Sequence, residues 1–428
     1  MKIIELKNLT EKQIQQLLRR PAIKTSDVFE AVQLILQDVK KNGRKAVIRY
    51  AKKYDGLKND EILIEKKELI AAEKKLSKDL RKAILTAFKN ITRFHEKQKK
   101  SEYEIETMKG VKCWRKSIPI ENVGLYIPGG TAVLFSTMLM LGIPAKIAGC
   151  KRVVVCSPVK GNEINPALAF TARICEVDEF YKIGGAHSIA MMAYGIEDFK
   201  KVDKIFGPGN QYVTAAKSLV SIDPDGCAID MPAGPSEVLI IADNSANSSF
   251  VAADLLSQAE HGEDSQVILI TTDKKFAEEV FLNINEQLKL LPRKFIAEQS
   301  LKNSLIILIE DIEQAINLSN SYAPEHLILS VRNPRRLINK IINAGSVFIG
   351  NYSPESAGDY ASGTNHSLPT YGYAKSFSGV SVEAFMKSIT FQQLTKDGLK
   401  NISDTVIKLA EEEKLQAHAN AIKIRLQK

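Results

Sequence analysis

Apolar and polar positions divide this chain into two textures. Residues 1–120 read as mostly charged amphipathic helices, and the stretches 31–36 and 68–94 place apolar residues at helical spacing. From residue 123, short β-branched runs alternate with helical segments. Val153-Val154-Val155-Cys156 reads as a buried strand and 166–175 as a helix. Residues 180–183 lead through Gly184-Gly185 into a helix, and Lys204-Ile205-Phe206 through Gly207-Pro208-Gly209-Asn210 into another. Strand, glycine turn and helix in this order predict parallel α/β units. A second set of strands is expected at 237–242, 266–270, 304–308 and 346–349, so two α/β domains are predicted, with the seam at residues 230–235. From about residue 380 the pattern turns helical and charged.

Composition narrows the class. At 428 residues the chain is too long for one simple core. The net charge of +9 comes from scattered lysines. The densest basic run, Lys97-Gln98-Lys99-Lys100, lacks the aromatics that stack on bases, so no nucleic-acid partner is expected. Five cysteines, widely spaced and without a CxxC pair, point to free thiols in a reducing compartment. The amino-terminal segment has no signal-peptide core, and the longest apolar run, 131–145, is broken by Gly142 and Pro144. A cytoplasmic protein with no membrane partner is expected.

The chemistry begins at Ser257-Gln258-Ala259-Glu260-His261-Gly262, which closes an apolar helix. Gln258 and His261 are three apart and share a face, offering an amide oxygen and an imidazole nitrogen to one point. That is half a metal site. Asp359, in the long polar stretch 353–363, is the natural further ligand; with no apolar anchors, that stretch is expected to be a loop. Gln, His and Asp without cysteine suit Zn²⁺ or another borderline divalent ion in an open site. Glu325 and His326 stand where a loop enters a strand, so their side chains are expected to diverge and serve two proton-transfer tasks. His366 either lines a pocket or bonds within its own loop. The three glycine loops, 126–130, 184–187 and 207–210, each follow a strand and suit a nucleotide, yet none is a complete GxGxxG.

Taken together, the segments 124–130, 207–210, 230–237, 254–262, 323–327 and 359–366 resemble those of histidinol dehydrogenases, in the family's order and over roughly residues 25–425. The resemblance implies two Rossmann-like domains lacking the usual fingerprint, plus a helical C-terminal tail. The expected division is a discontinuous domain of residues 1–122 and 235–378, a second of 123–234, and a tail of 379–428 that reaches the partner of a homodimer. It implies oxidation of L-histidinol to L-histidine with Zn²⁺ and two NAD⁺. The metal ligands would be Gln258, His261, Asp359 and His418. Ser236, Gln258, His261, His326, Asp359, Glu413 and His418 would meet the substrate, Glu325 and His326 would move protons, and Tyr126, His187 and Asn210 would touch the cofactor. His187 departs from the family, which has glutamine there. On one continuous helix Glu413 and His418 would stand about 140° apart, so only one could face a metal squarely. A zinc hydrolase could use the same ligands but has no need of three glycine loops. A paralogue acting on another amino alcohol or a sulfonate is the alternative, against which Glu413 and His418 favour an imidazole-bearing substrate.

Overall fold

The computed structural model describes residues 1–20, 25–99, 102–129, 133–159, 163–232 and 234–427. The strands among them are β1 (Lys2–Glu5), β2 (Leu63–Ile64), β3 (Glu104–Met108), β4 (Val111–Pro119), β5 (Asn122–Tyr126), β6 (Arg152–Cys156), β7 (Glu179–Tyr181) and β8 (Lys204–Phe206). They continue with β9 (Ala228–Ile229), β10 (Glu237–Ala242), β11 (Gln266–Thr271), β12 (Leu305–Leu308), β13 (His326–Ser330), β14 (Ser346–Ile349) and β15 (Met386–Leu394).

Two six-stranded sheets carry the molecule. One runs β1-β12-β11-β10-β13-β14 and is parallel throughout; the other runs β2-β7-β6-β5-β8-β9 and is parallel except where β2 joins β7. Stripped of the added edge strands β1 and β2, each has its five strands in the order 3-2-1-4-5, the arrangement of a doubly wound nucleotide-binding fold. The predicted α/β class and paired Rossmann-like domains are therefore present.

Alternation explains the burial. Along β10, Val238, Ile240 and Ala242 enter one core while Leu239 and Ile241 enter the core on the opposite face. Such a strand buries both faces under helices, which is why it reads as one continuous apolar run. The second sheet behaves likewise. Val153 and Val155 face the helices Phe135–Ala148 and Pro166–Ile174, while Val154 and Cys156 face Gly185–Tyr194 and Gln211–Ile222.

Three expectations are corrected. Residues 25–96 do not join the sheet of β10: β2 pairs with β7, Val32 and Val47 enter the core of the second sheet, and Ile84 and Ile91 pack on its other face. An amphipathic helix needs an apolar face to cover, and both faces of this sheet have room beyond their own crossover helices. Only β1 and the segment after it remain with the first sheet, Leu6 lying in one of its cores. Second, the tail is not helical from 380, nor is 104–119 helical. β15 lies antiparallel on β4, which pairs with β3 as a third sheet where Trp114 stacks on Phe391 at 5.3 Å. Third, 353–363 is ordered by a helix, Glu355–Tyr360. Gly358 makes this possible, since a Cβ there would stand 2.5 Å from the Phe348 ring of β14.

Candidate active site

Strands β10 and β13 are neighbours at the point where the strand order reverses, with Val238 opposite His326. This puts Glu237 beside Glu325, and the Glu237 amide donates to Glu325 Oε2 at 2.8 Å. The helix Ser248–Ala259, capped at its start by the Asn247 side chain, runs back to the same edge and delivers Gln258 there, fully buried. Gln258 Nε2 donates to the Glu237 carbonyl at 3.2 Å and lies 2.8 Å from His326 Nδ1. His326 Nδ1 is also 3.0 Å from that carbonyl. Nδ1 either donates to Glu237 O or accepts from Gln258, and the choice fixes which ring nitrogen is free.

Glu325 and His326 do not diverge. Glu325 precedes the strand, after Ala323 with φ of +54°, so strand alternation does not govern it. Its carboxylate stands 3.5 Å from His326 Nδ1, while Asp359 Oδ1 stands 3.5 Å from Nε2. Burial alone would lower the His326 pKa, but Glu325, Asp359 and Glu355 together raise it well above the ordinary histidine value. For Asp359, burial works upward, and the imidazoles of His326, His366 and His261 outweigh it, holding the carboxyl below its usual value.

The helix Glu355–Tyr360 supplies the other wall. Glu355 and Asp359 are four apart and share its inner face. Ligand atoms of His261, Glu355 and Asp359 all lie within 4.8 Å of one another. Beside them Gln258 Oε1, His326 Nε2 and Glu355 Oε2 are buried with no hydrogen-bond partner. Buried polar atoms left bare are costly. The clustered imidazole and carboxylates, with a buried bare amide oxygen on Gln258, form a donor set that fits a borderline divalent cation. His261 is solvent-accessible at the rim, yet crowding by protein lowers its pKa, which favours the neutral, ligating ring.

His366 bonds to its own segment and beyond. Its Nδ1 donates to the Asp359 carbonyl at 2.9 Å, so Nε2 accepts from the Thr137 hydroxyl at 3.1 Å. Asn365 donates to Met140 O at 2.6 Å. Thr137 and Met140 lie in the helix that follows β5, so these bonds hold the edge carrying the metal donors against the carboxyl edge of the second sheet.

At that second edge, Tyr126 ends β5 and Asn210 follows β8, on either side of its switch point. Gly207 has φ of +117°, and a Cβ there would lie 2.1 Å from Tyr126 O. Its amide donates to Asp230 Oδ2 at 2.8 Å and its carbonyl accepts from Lys217 at 2.7 Å. Asn210 caps the next helix through the amides of Tyr212 and Val213. His187 is turned inward instead. It is 1% exposed, and its Nε2 is 2.9 Å from Asp55 Oδ2, the oxygen that accepts from the Gly184 amide. With that nitrogen occupied, His187 braces the 184–187 loop, and the Tyr126 hydroxyl accepts from Gly185 at 3.2 Å in the same cluster. Gly130 and Ala233 lie outside the described residues.

A sequence model of histidinol dehydrogenases matches residues 18–426. The chain belongs to the histidinol dehydrogenase family. It is 53% identical over 428 residues to the histidinol dehydrogenase of Campylobacter jejuni strain RM1221, covering 100% of this chain and 99% of that one. It is 52% identical over 427 residues to that of Bacteroides thetaiotaomicron, again with 100% and 99% covered. The crystal structure of the enzyme from Elizabethkingia anophelis superposes with a TM-score of 0.96 at 51% identity, covering 100% of this chain and 98% of that one. Membership of the histidinol dehydrogenase family makes this chain an oxidoreductase of alcohol and aldehyde groups.

Two residues expected at the site are elsewhere in the single chain. Glu413 and His418 are exposed, and no described group of metal-ligating side chains includes His418. They do not share one helix: Glu413 closes the helix Lys396–Glu412, Lys414 has φ of +60°, and His418 lies in the helix Gln416–Leu426. The angle expected for one continuous helix therefore does not apply. Ser236 immediately precedes β10, beside Glu237, and its carbonyl accepts from Gln266 at 3.2 Å. Among the described residues, no helix is long and apolar enough to cross a membrane.

Sequence reasoning missed Glu355, because its spacing to Asp359 means a shared face only once the segment is a helix. It also missed Asp55 and Thr137, for which a lone sequence carries no signal.

Proposed function

We propose that this chain oxidises L-histidinol to L-histidine through the aldehyde, reducing two NAD⁺ and using one Zn²⁺ per subunit, as the closing steps of histidine biosynthesis in the cytoplasm. The observation that carries the reading is the convergence of His261, Glu355 and Asp359 beside the Glu325–His326 pair, with the Gln258 amide oxygen buried and bare. Gln258, His261 and Asp359 would hold the metal, with His418 supplied by the exchanged tail of a homodimer. When bound, the metal supplies a positive template for the substrate's nitrogens, and the nicotinamide accepts hydride.

The chain's own groups do the proton work. Once Asp359 is committed to the metal, one of the carboxylates that raise the His326 pKa would be neutralised, and with Nδ1–H donating to Glu237 O the ring would present Nε2 as a base toward the substrate hydroxyl. It takes that proton as hydride leaves the carbinol carbon. Glu325 has one oxygen committed to the Glu237 amide, which fixes the carboxylate and leaves Oε1 to draw a proton from the water that adds to the aldehyde. His326, its first proton released to solvent, then takes the hydrate's hydroxyl proton in the second oxidation. Tyr126 and Asn210 would meet the cofactor, while His187 holds the 184–187 loop. Ser236, Glu413 and His418 would complete the substrate's surroundings.

The decisive experiment counts NADH per L-histidinol consumed, before and after chelation and with zinc restored. Two per substrate, lost on chelation and recovered with zinc, is the expected result. One per substrate, or activity indifferent to chelator, overturns it.

A further inference from the structure

Nothing in the mechanism above uses Glu355. Yet it is 1% exposed, at the start of the helix whose other inward carboxylate is Asp359, and its Oε2 is buried with no hydrogen-bond partner. A carboxylate so placed is expensive unless something cationic or protic arrives. The charged neighbours acting most strongly on it are His326, Asp359, Glu325 and Asp254, with no lysine or arginine among them.

The substrate can supply the missing hydrogen-bond donor. An amino alcohol carries its amine one carbon from the reacting carbinol carbon. A base that reaches the hydroxyl, as His326 does, therefore has the amine in its immediate surroundings. Glu355 is His326's neighbour on the side of His261 and Asp359. We propose that Glu355 is the amine-recognising residue of this site, its Oε2 accepting a hydrogen bond from the primary amine of the substrate. This rests on the proposed oxidation of an amino alcohol and adds the group that selects for the amine. Asp359, by contrast, is surrounded by three imidazoles, the environment of a ligand that shares its cation with histidine.

The test is binding, measured by titration calorimetry on the zinc-loaded enzyme without NAD⁺. Two ligands are compared: L-histidinol and 3-(imidazol-4-yl)propan-1-ol, which lacks the amine. Glu355→Gln should weaken L-histidinol by about 10- to 100-fold, the range for a hydrogen bond to a charged group, and the amine-free alcohol by about threefold or less. Zinc per subunit, measured after gel filtration, should not change. Equal weakening of both ligands, unchanged affinity for L-histidinol, or loss of zinc would each overturn the proposal, the last by making Glu355 a metal ligand. If Glu355→Gln does not fold, Glu355→Asp keeps the charge but withdraws it, and an intermediate, amine-dependent loss is expected. A wild-type enzyme that binds neither ligand overturns the substrate reading itself, a different failure.

Discussion

Gln258 places its amide nitrogen 2.8 Å from His326 Nδ1, and its amide oxygen is left bare. One side chain thus meets the proposed base with its nitrogen and keeps its oxygen available for the proposed metal. When Nδ1 accepts from Gln258, Nε2 carries the ring proton; when Nδ1 donates to Glu237 O, Nε2 is free to take one. A change in how the amide is held alters which form His326 adopts.

His326→Asn removes the base and leaves the metal donors in place. Turnover should fall by about 10²- to 10⁴-fold, the usual contribution of a positioned acid or base, with zinc content unchanged. Steady-state NADH production and metal analysis on the same preparation check this. Lost zinc would mean the residue holds the metal donors together.

Glu325→Gln should separate the two oxidations. The amide cannot draw a proton from water, so oxidation of histidinal should suffer more than oxidation of histidinol. Pre-steady-state traces fed with alcohol or with aldehyde distinguish the steps. Equal losses would place Glu325 in support of His326 only.

Arg20 is a stability determinant. It donates to Glu237 Oε2 at 2.9 Å and to the Tyr322 carbonyl at 2.9 Å, with the Glu237 side chain 2% exposed. Arg20→Met strands a buried carboxylate, which costs about 3–5 kcal/mol. A urea midpoint lowered accordingly is expected; an unchanged midpoint would contradict the pair's role.

Asp254 gives a dependence on pH. Burial lifts its carboxyl to about 7. A folded-state pKa above the unfolded value gives stability that is complete below the unfolded pKa and is lost as pH rises through the folded one. Wild-type stability should therefore decline between roughly pH 4 and 7 relative to Asp254→Asn, by about 1–2 kcal/mol once solvent screening is allowed for. Thermal melts across that window test it; parallel curves for the two proteins would refute it.

The tail can be removed without tearing a sheet, provided the cut falls after Leu394, where β15 ends. Deleting 395–428, or replacing His418 with Asn, should weaken zinc binding by at least about tenfold if the tail completes the site of another subunit. Competition with a chelator measures this.

Much of this was legible in the sequence. Gln258 and His261 were readable because helical spacing alone puts them on one face, and the glycine loops because strand, turn and helix are local patterns. Glu355 was not, since its segment shows no apolar periodicity; the helix there forms because Gly358 lets the backbone rest on Phe348. The placement of residues 25–96 was hidden for a related reason. An apolar helix face says that something must cover it, but not which of two sheets. His187 looked available for the cofactor until Asp55, 132 positions away, was found on its ring.

The edge strand β1 has a consequence for synthesis. Lys2–Glu5 pair only with β12, whose Leu305–Leu308 lie roughly 300 residues later. At ribosomal speeds of 5–20 residues per second, that strand waits about 15–60 s for its partner. The second sheet, continuous from β5 to β9, can close meanwhile. The newborn chain therefore completes its second sheet first, and acquires Glu355 and Asp359, the carboxylates of the candidate metal site, only after most of it has been made.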